Sequence, residues 1–144
     1  MLLNLTPHPV TFYPPNTPDV LDEQDAVGLA MLVLASHGVA RAHSVAVPDG
    51  EINTSGVRLP VSRTTLGQVH SLPAATPGTS LLVSLPTLQA CPQRPDLVIV
   101  DRAVRDMRGQ IIGARGLARP ATARGSTIAP GDSRSSVRLL VSLN

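Results

Sequence analysis

The chain has 144 residues, a formal net charge of +2, and a hydrophobic content of 42%. That is enough for one domain with a modest core, and so mild a charge gives no reason to expect a nucleic-acid polymer or an anionic membrane as partner. With one Phe, one Tyr and no Trp, the core falls to Val, Leu, Ile and Ala. It lacks rings that would each bring about 150–250 Å², so subunit contacts are expected to add to stability.

Fourteen prolines and eleven glycines cut the chain into short pieces, and aliphatic runs between turn residues read as strands. Pro9 to Tyr13 is the first expected strand. From Pro14 to Ala46 a short acidic helix or loop is expected, with Asp22, Glu23 and Asp25 where acids suit a helix dipole. The apolar run Leu29 to Ala35 fits a continuation of that helix or a strand; the preferred reading is a hairpin, with a turn at Ser36-His37-Gly38 and a return along Val39 to Val47. Ser80 to Leu85 is the next strand, and Pro86 to Cys91 a single helical turn with proline at an early position. Leu97 to Val100 and Gln110 to Leu117 read as strands around a tight turn at Asp106-Met107-Arg108-Gly109. After Pro120 the composition shifts to Ala, Ser, Gly and Arg. Thr122 to Arg134 reads as a loop or arm, and Val137 to Leu143 as a strand that could close the sheet. The expected fold is a small, β-dominated mixed α/β domain of mostly antiparallel short strands with one or two short helices.

The chemistry-bearing residues are sparse. Cys91 is the single cysteine, so no internal disulfide forms, and a reducing compartment is expected. The start, Met1-Leu2-Leu3-Asn4-Leu5, has neither a basic region nor a long apolar run, and the expected location is the cytoplasm. The histidines are His8, His37, His43 and His70; none stands at helical spacing from a second ligand, so no metal is expected. There is no Gly-x-Ser-x-Gly elbow, phosphate loop or dinucleotide glycine fingerprint. No catalytic residue and no cofactor are assigned, and the chain is expected not to be an enzyme.

The basic residues are more telling, because all twelve are arginine. GC-rich coding accounts for most of that bias. Guanidinium forks also grip phosphates in a bidentate way, so position decides. Arg115 and Arg119 flank Gly116-Leu117-Ala118. Four residues apart on a strand they share a face at roughly 13 Å, and a turn at Gly116 would bring them closer. Arg94 and Asp96, around Pro95, read as a structural ion pair or turn. Arg102, Arg105 and Arg108 read as solvated or paired locally with Asp101 and Asp106.

An ordered set of segments then becomes recognisable. It runs Asn4-Leu5-Thr6-Pro7-His8-Pro9-Val10, Leu66-Gly67-Gln68-Val69, Leu72-Pro73, Leu82-Val83-Ser84, Arg94-Pro95-Asp96-Leu97, Val104-Arg105-Asp106, and Gly109 through Arg119. In that order the chain resembles the first-described Thoeris anti-defence family, over about residues 3–13 and 38–119. The resemblance implies a phage-encoded sponge that binds cyclic ADP-ribose isomers made by bacterial TIR-domain defence enzymes, without cleaving them. It implies one ligand-binding domain over 1–119, an insertion over 14–36 and an extension over 120–144.

It also implies a homo-oligomer, three dimers making a hexamer, with the pocket between protomers. Arg115 and Arg119 of one chain and Arg63 of its neighbour match the pocket arginines. Leu88 stands where an aromatic wall for the adenine is expected. A second pocket, for cyclic dinucleotides or trinucleotides, would use Arg41. Ser62, Thr64 and Thr65 are the expected acceptors around the arginines, and loss of one guanidinium is expected to cost folding little. Two readings from other classes are a nucleotide-processing hydrolase and a phage structural or assembly protein.

Overall fold

The structure is a computed structural model and describes residues 1–120; the expected strand at Val137 to Leu143 and the loop at Thr122 to Arg134 lie outside the described residues. The strands are β1 (Leu2–Asn4), β2 (Val10–Phe12), β3 (Val20–Leu21), β4 (Leu32–Leu34), β5 (Arg41–Thr54), β6 (Val57–His70), β7 (Ser80–Leu82), β8 (Leu97–Asp106) and β9 (Ile111–Ala118). Two helices, α1 (Glu23–Gly28) and α2 (Leu85–Ala90), complete the fold. It is the β-dominated mixed fold expected, with most of the paired residues antiparallel.

Seven strands form one sheet in the order β1-β7-β8-β9-β2-β4, with β3 also on β8. The long strand β8 organises it. Its start pairs with β7, its end with β3, and its other edge runs antiparallel to β9. Strands β8 and β9 are joined at the expected turn, where Gly109 takes a φ of 81° and Asp106 accepts the backbone N–H groups of Arg108 and Gln110. Alternation along the strands splits the core between two faces. Leu81, Val83 and Leu97 pack with Leu5, Ala40 and Leu88 beneath α2, whereas Leu82 and Val98 pack with Phe12 and Ala114. Tyr13, Leu21 and Val104 form a third cluster.

The opening segment is tied down by Asn4, which is fully buried. Its Nδ2 donates to the carbonyls of His8 and Leu34, at 2.9 and 3.0 Å, and its Oδ1 accepts from the backbone and hydroxyl of Thr6. A buried amide is tolerated because every bond it needs is made.

The expected hairpin between Leu29 to Ala35 and Val39 to Val47 does not form. Strand β4 pairs antiparallel with β2, Leu32 against Phe12, and so becomes the edge of the main sheet. The chain then passes Gly38, with a φ of 135°, and Val39 to Val47 leads into a different partner, β6. Pairing with β2 wins because Phe12 and Leu34 join one apolar cluster there. The acidic helix does form: Asp22 caps α1 by accepting the Asp25 N–H at 2.8 Å. The 14–36 segment supplies β3, α1 and β4, two of which are paired into the sheet.

Strands β5 and β6 form a separate two-stranded ribbon. Ser55 and Gly56 both take positive φ at its tip, 51° and 79°, the pattern of a two-residue turn suited to ribbon twist. Nearly all of the ribbon is exposed, and α2 is the element of the body that packs against its root.

Candidate functional site

Strand β9 runs straight through Gly116 to Ala118, so the turn that would draw Arg115 and Arg119 together is absent. The two guanidinium groups have separate surroundings. Arg115 is held among Thr17, Asp19 and Arg102: its Nη1 donates to the Thr17 carbonyl at 2.8 Å, its Nε to the Arg102 carbonyl at 3.4 Å, and Nη2 pairs with the Asp19 carboxylate. Arg119, just past the strand, reaches the Ser80 hydroxyl at 3.4 Å and lines a hollow with Thr76, Gly78, Pro95 and Asp96. Arg115 is braced in the fold, so the expectation that its loss costs folding little is corrected. Its side chain is 16% exposed and ties the segment at Thr17 and Asp19 to the sheet.

Sequence reasoning missed a third guanidinium here. Arg102 lies between the Asp101–Gly116 and Ala103–Ala114 pairs of the β8–β9 ladder, across from Arg115. Its backbone takes a φ of 51°, unusual for a side-chain-bearing residue. Its side chain lies over Gly116, where an added Cβ would stand 3.2 Å from Arg102 Nη2. Asp101 offsets it at 3.6 Å, the local pairing the sequence anticipated. Arg115 also borders an apolar groove of about 290 Å³ that includes Phe12, Tyr13, Pro15, Met31 and Leu32. This groove brings the only two aromatic residues of the chain next to a guanidinium.

Leu88 is elsewhere. It is 7% exposed and packs in the core against Leu5, Ala40, Leu81 and Leu97. Its side chain fills the space beneath α2 and offers no open wall to a ligand within this protomer.

Arg63 sits on β6, opposite Val47 in the ribbon. Ser62, Thr64 and Thr65 were the expected acceptors, but Asp49 takes that role, receiving Arg63 Nη2 at 3.0 Å. The ribbon has two unlike faces. Alternation puts Val57, Leu59, Val61, Arg63 and Thr65 of β6 on one side, and their partners Ile52, Val47 and Val45 share it. Val45, Val47, Ile52, Val57 and Leu59 are between 43% and 58% exposed. The opposite side carries Glu51, Asn53, Arg58, Ser62 and Thr64. Arg63 and its partner Asp49 thus form an ion pair on a face whose other residues are mainly aliphatic, with Thr54 and Thr65.

Arg41 begins β5 at the ribbon root and lines a cleft of about 450 Å³ with Thr6, Ser44, Thr64, Ser84 and Pro86. The Arg94–Asp96 pair is structural, as expected: Nε and Nη2 grip the carboxylate at 2.8 and 2.7 Å, and Nη2 also donates to the Pro73 carbonyl. These bonds hold the Asp96 carboxyl below the usual carboxylate range against the opposing effect of burial. Among the described residues no helix is long and apolar enough to cross a membrane.

No family model, curated protein or solved structure matches this chain.

Proposed function

We propose that the protein is an anti-defence sponge: a homo-oligomer that binds a cyclic ADP-ribose signal from TIR-domain enzymes and holds it without cleavage. The resemblance of the ordered segments supports the ligand class. The observation that carries the shared pocket is Arg63 on the apolar face of a projecting ribbon. A two-stranded ribbon alone in water is marginally stable, and an apolar face of this kind marks a contact surface. Covering it with a second copy buries Val45, Val47, Ile52, Val57 and Leu59 and takes Arg63 into the contact. Arg63 is seven residues from His70 at the ribbon root, roughly 23 Å along a strand, so it can act well away from its own body.

In this reading the pyrophosphate meets Arg115, with the partner's arginine arm beside it, and the base lies on the apolar groove beside Arg115; Arg119, in its own hollow by Ser80, is left to contacts farther along the ligand. That groove replaces Leu88 as the wall. Guanidinium–phosphate bonds shielded at an interface supply much of a binding free energy beyond about −8 kcal/mol, which submicromolar affinity requires. The cleft at Arg41 is the place for a second, cyclic oligonucleotide ligand. Its neighbours Ser44, Thr64 and Ser84 would add hydroxyl donors to the one guanidinium.

The deciding experiment is a thermal-shift screen with cyclic ADP-ribose isomers and cyclic oligonucleotides, followed by heat release of what was bound. Ligand at 100 times its dissociation constant stabilises by about 2.7 kcal/mol. A sponge returns intact ligand, whereas a nucleotide-processing hydrolase returns products and turns over an excess. The exposed apolar ribbon also suits an assembly component of a phage particle, and no shift with any of these ligands would favour that reading.

A further inference from the structure

Arg115 is far more enclosed than Arg63, 16% against 69% exposed. Two of its three acceptors are backbone carbonyls fixed by folding: Thr17 is buried, and Arg102 lies within β8. The third acceptor differs in kind. The Asp19 side chain is 78% exposed, yet its backbone is anchored, since its carbonyl accepts the Arg105 N–H at 2.8 Å and Val20 pairs with Arg105. The carboxylate can therefore leave Arg115 by side-chain rotation alone, with the sheet unchanged.

The geometry points to Asp19 as the residue that sets affinity and selectivity at Arg115. Its carboxylate is an internal anion on the guanidinium, and a phosphate-bearing ligand enters by exchange with it. This rests on the reading of Arg115 as a phosphate contact. The energetics favour the exchange. An enclosed guanidinium left without an anion is costly, whereas an exposed carboxylate returns to water at little cost. Exchange also discriminates. A ligand carboxylate merely replaces like with like, whereas a pyrophosphate brings more charge and more acceptor oxygens to Arg115 and to the neighbouring Arg102.

The test is calorimetric titration of the full chain with inorganic pyrophosphate. Asp19→Asn removes the competing charge at constant shape and should bind about ten-fold tighter than wild type, the size of one charge-assisted hydrogen bond. Glu51→Gln makes the same change in net charge on the polar face of the ribbon and should leave affinity near wild type. The gain should vanish in Asp19→Asn/Arg115→Gln, where the glutamine keeps a donor for Thr17. No gain in Asp19→Asn, an equal gain in Glu51→Gln, or a gain that survives Arg115→Gln overturns the inference. Should circular dichroism show Asp19→Asn unfolded, Asp19→Ser carries the same expectation.

Parallel titration with cyclic ADP-ribose isomers separates this from the sponge reading. A pyrophosphate gain with no binding of those isomers removes the sponge and leaves the exchange. Isomer binding that Arg115→Gln weakens but Asp19→Asn does not strengthen removes the exchange and leaves the sponge.

Discussion

Gly113 lies so close to Tyr13 that a Cβ on it would stand 2.5 Å from the Tyr13 Cε2, with the Thr11 carbonyl closer still. The contact lets β9 run against β2, where Phe12 pairs with Ala114 and the Tyr13 N–H donates to the Ala114 carbonyl. It therefore fixes the strand that carries Arg115. Gly113→Ala should cost about 2–3 kcal/mol, the range for overpacking a tight site. Urea unfolding measures it; Gly109→Ala, open but at positive φ, should cost about 1 kcal/mol. Equal losses at the two positions would mean that Tyr13 and β2 yield easily.

Asp96 gives stability an acid limb. Its carboxyl is held below its unfolded value by the hydrogen bonds from Arg94. Its contribution is therefore complete above the unfolded value, near 3.8, and is lost as pH falls below that through the folded value. Asp96→Asn should flatten this limb in urea melts taken from pH 5 to pH 2. At pH 7 the variant should be about 3 kcal/mol less stable, because the Arg94 guanidinium loses its counter-charge in a site where the pair is only 11–20% exposed. An unchanged acid limb would place the acid sensitivity in other carboxylates.

The two faces of the ribbon should respond differently to charge. Val47→Glu and Leu59→Glu put a carboxylate on the apolar face and should shift sedimentation velocity toward smaller species. Asn53→Glu and Ser62→Glu, on the other face, should not. Equal effects from both pairs would mean that the apolar face is not the contact.

Arg115→Ala should weaken cyclic ADP-ribose binding by more than about 1.5 kcal/mol, the lower range for a hydrogen bond to a charged group. Arg105→Ala should leave it near wild type, since that guanidinium bonds the Gly109 carbonyl at the far turn. Mixed oligomers of Arg63→Ala and Arg115→Ala chains should regain part of the binding, because some contacts pair an intact Arg63 with an intact Arg115. No recovery in titrations of the mixture would put both arginines in one protomer's site or leave Arg63 outside it.

Local signals were enough to read much of this fold. Strands form within Pro9 to Tyr13 and Ser80 to Leu85 and around the β8–β9 turn, where aliphatic runs stand next to Pro and Gly, but the second stops at Leu82 and Leu85 already opens α2. The ribbon was harder. Only its first half, within Val39 to Val47, looked like a strand, and Pro48, Gly50 and Pro60 hid the rest. Its turn signal was Ser55-Gly56, and its period-two signal was Val57, Leu59, Val61. The site was less legible still. Counting back from the Asp106–Gly109 turn places Asp101 across from Arg115, an attractive pair. A bulge between Val104 and Arg105 shifts the register by one and brings Arg102 there instead. The counter-charge then comes from Asp19, 96 residues away in sequence, a distance that no local pattern spans.

The ribbon has the logic of a ruler. Because side chains alternate, the face that carries Arg63 depends on whether the number of residues back to His70 is odd or even. Shortening β5 and β6 by one residue each between Arg63 and the root would turn the arginine to the polar side. Shortening each by two would restore its side but draw it roughly 7 Å closer to the body. Length and parity together therefore fix where in an assembly the Arg63 guanidinium is delivered, and the ribbon can vary in length only in steps of two if its reach across to another copy is to survive.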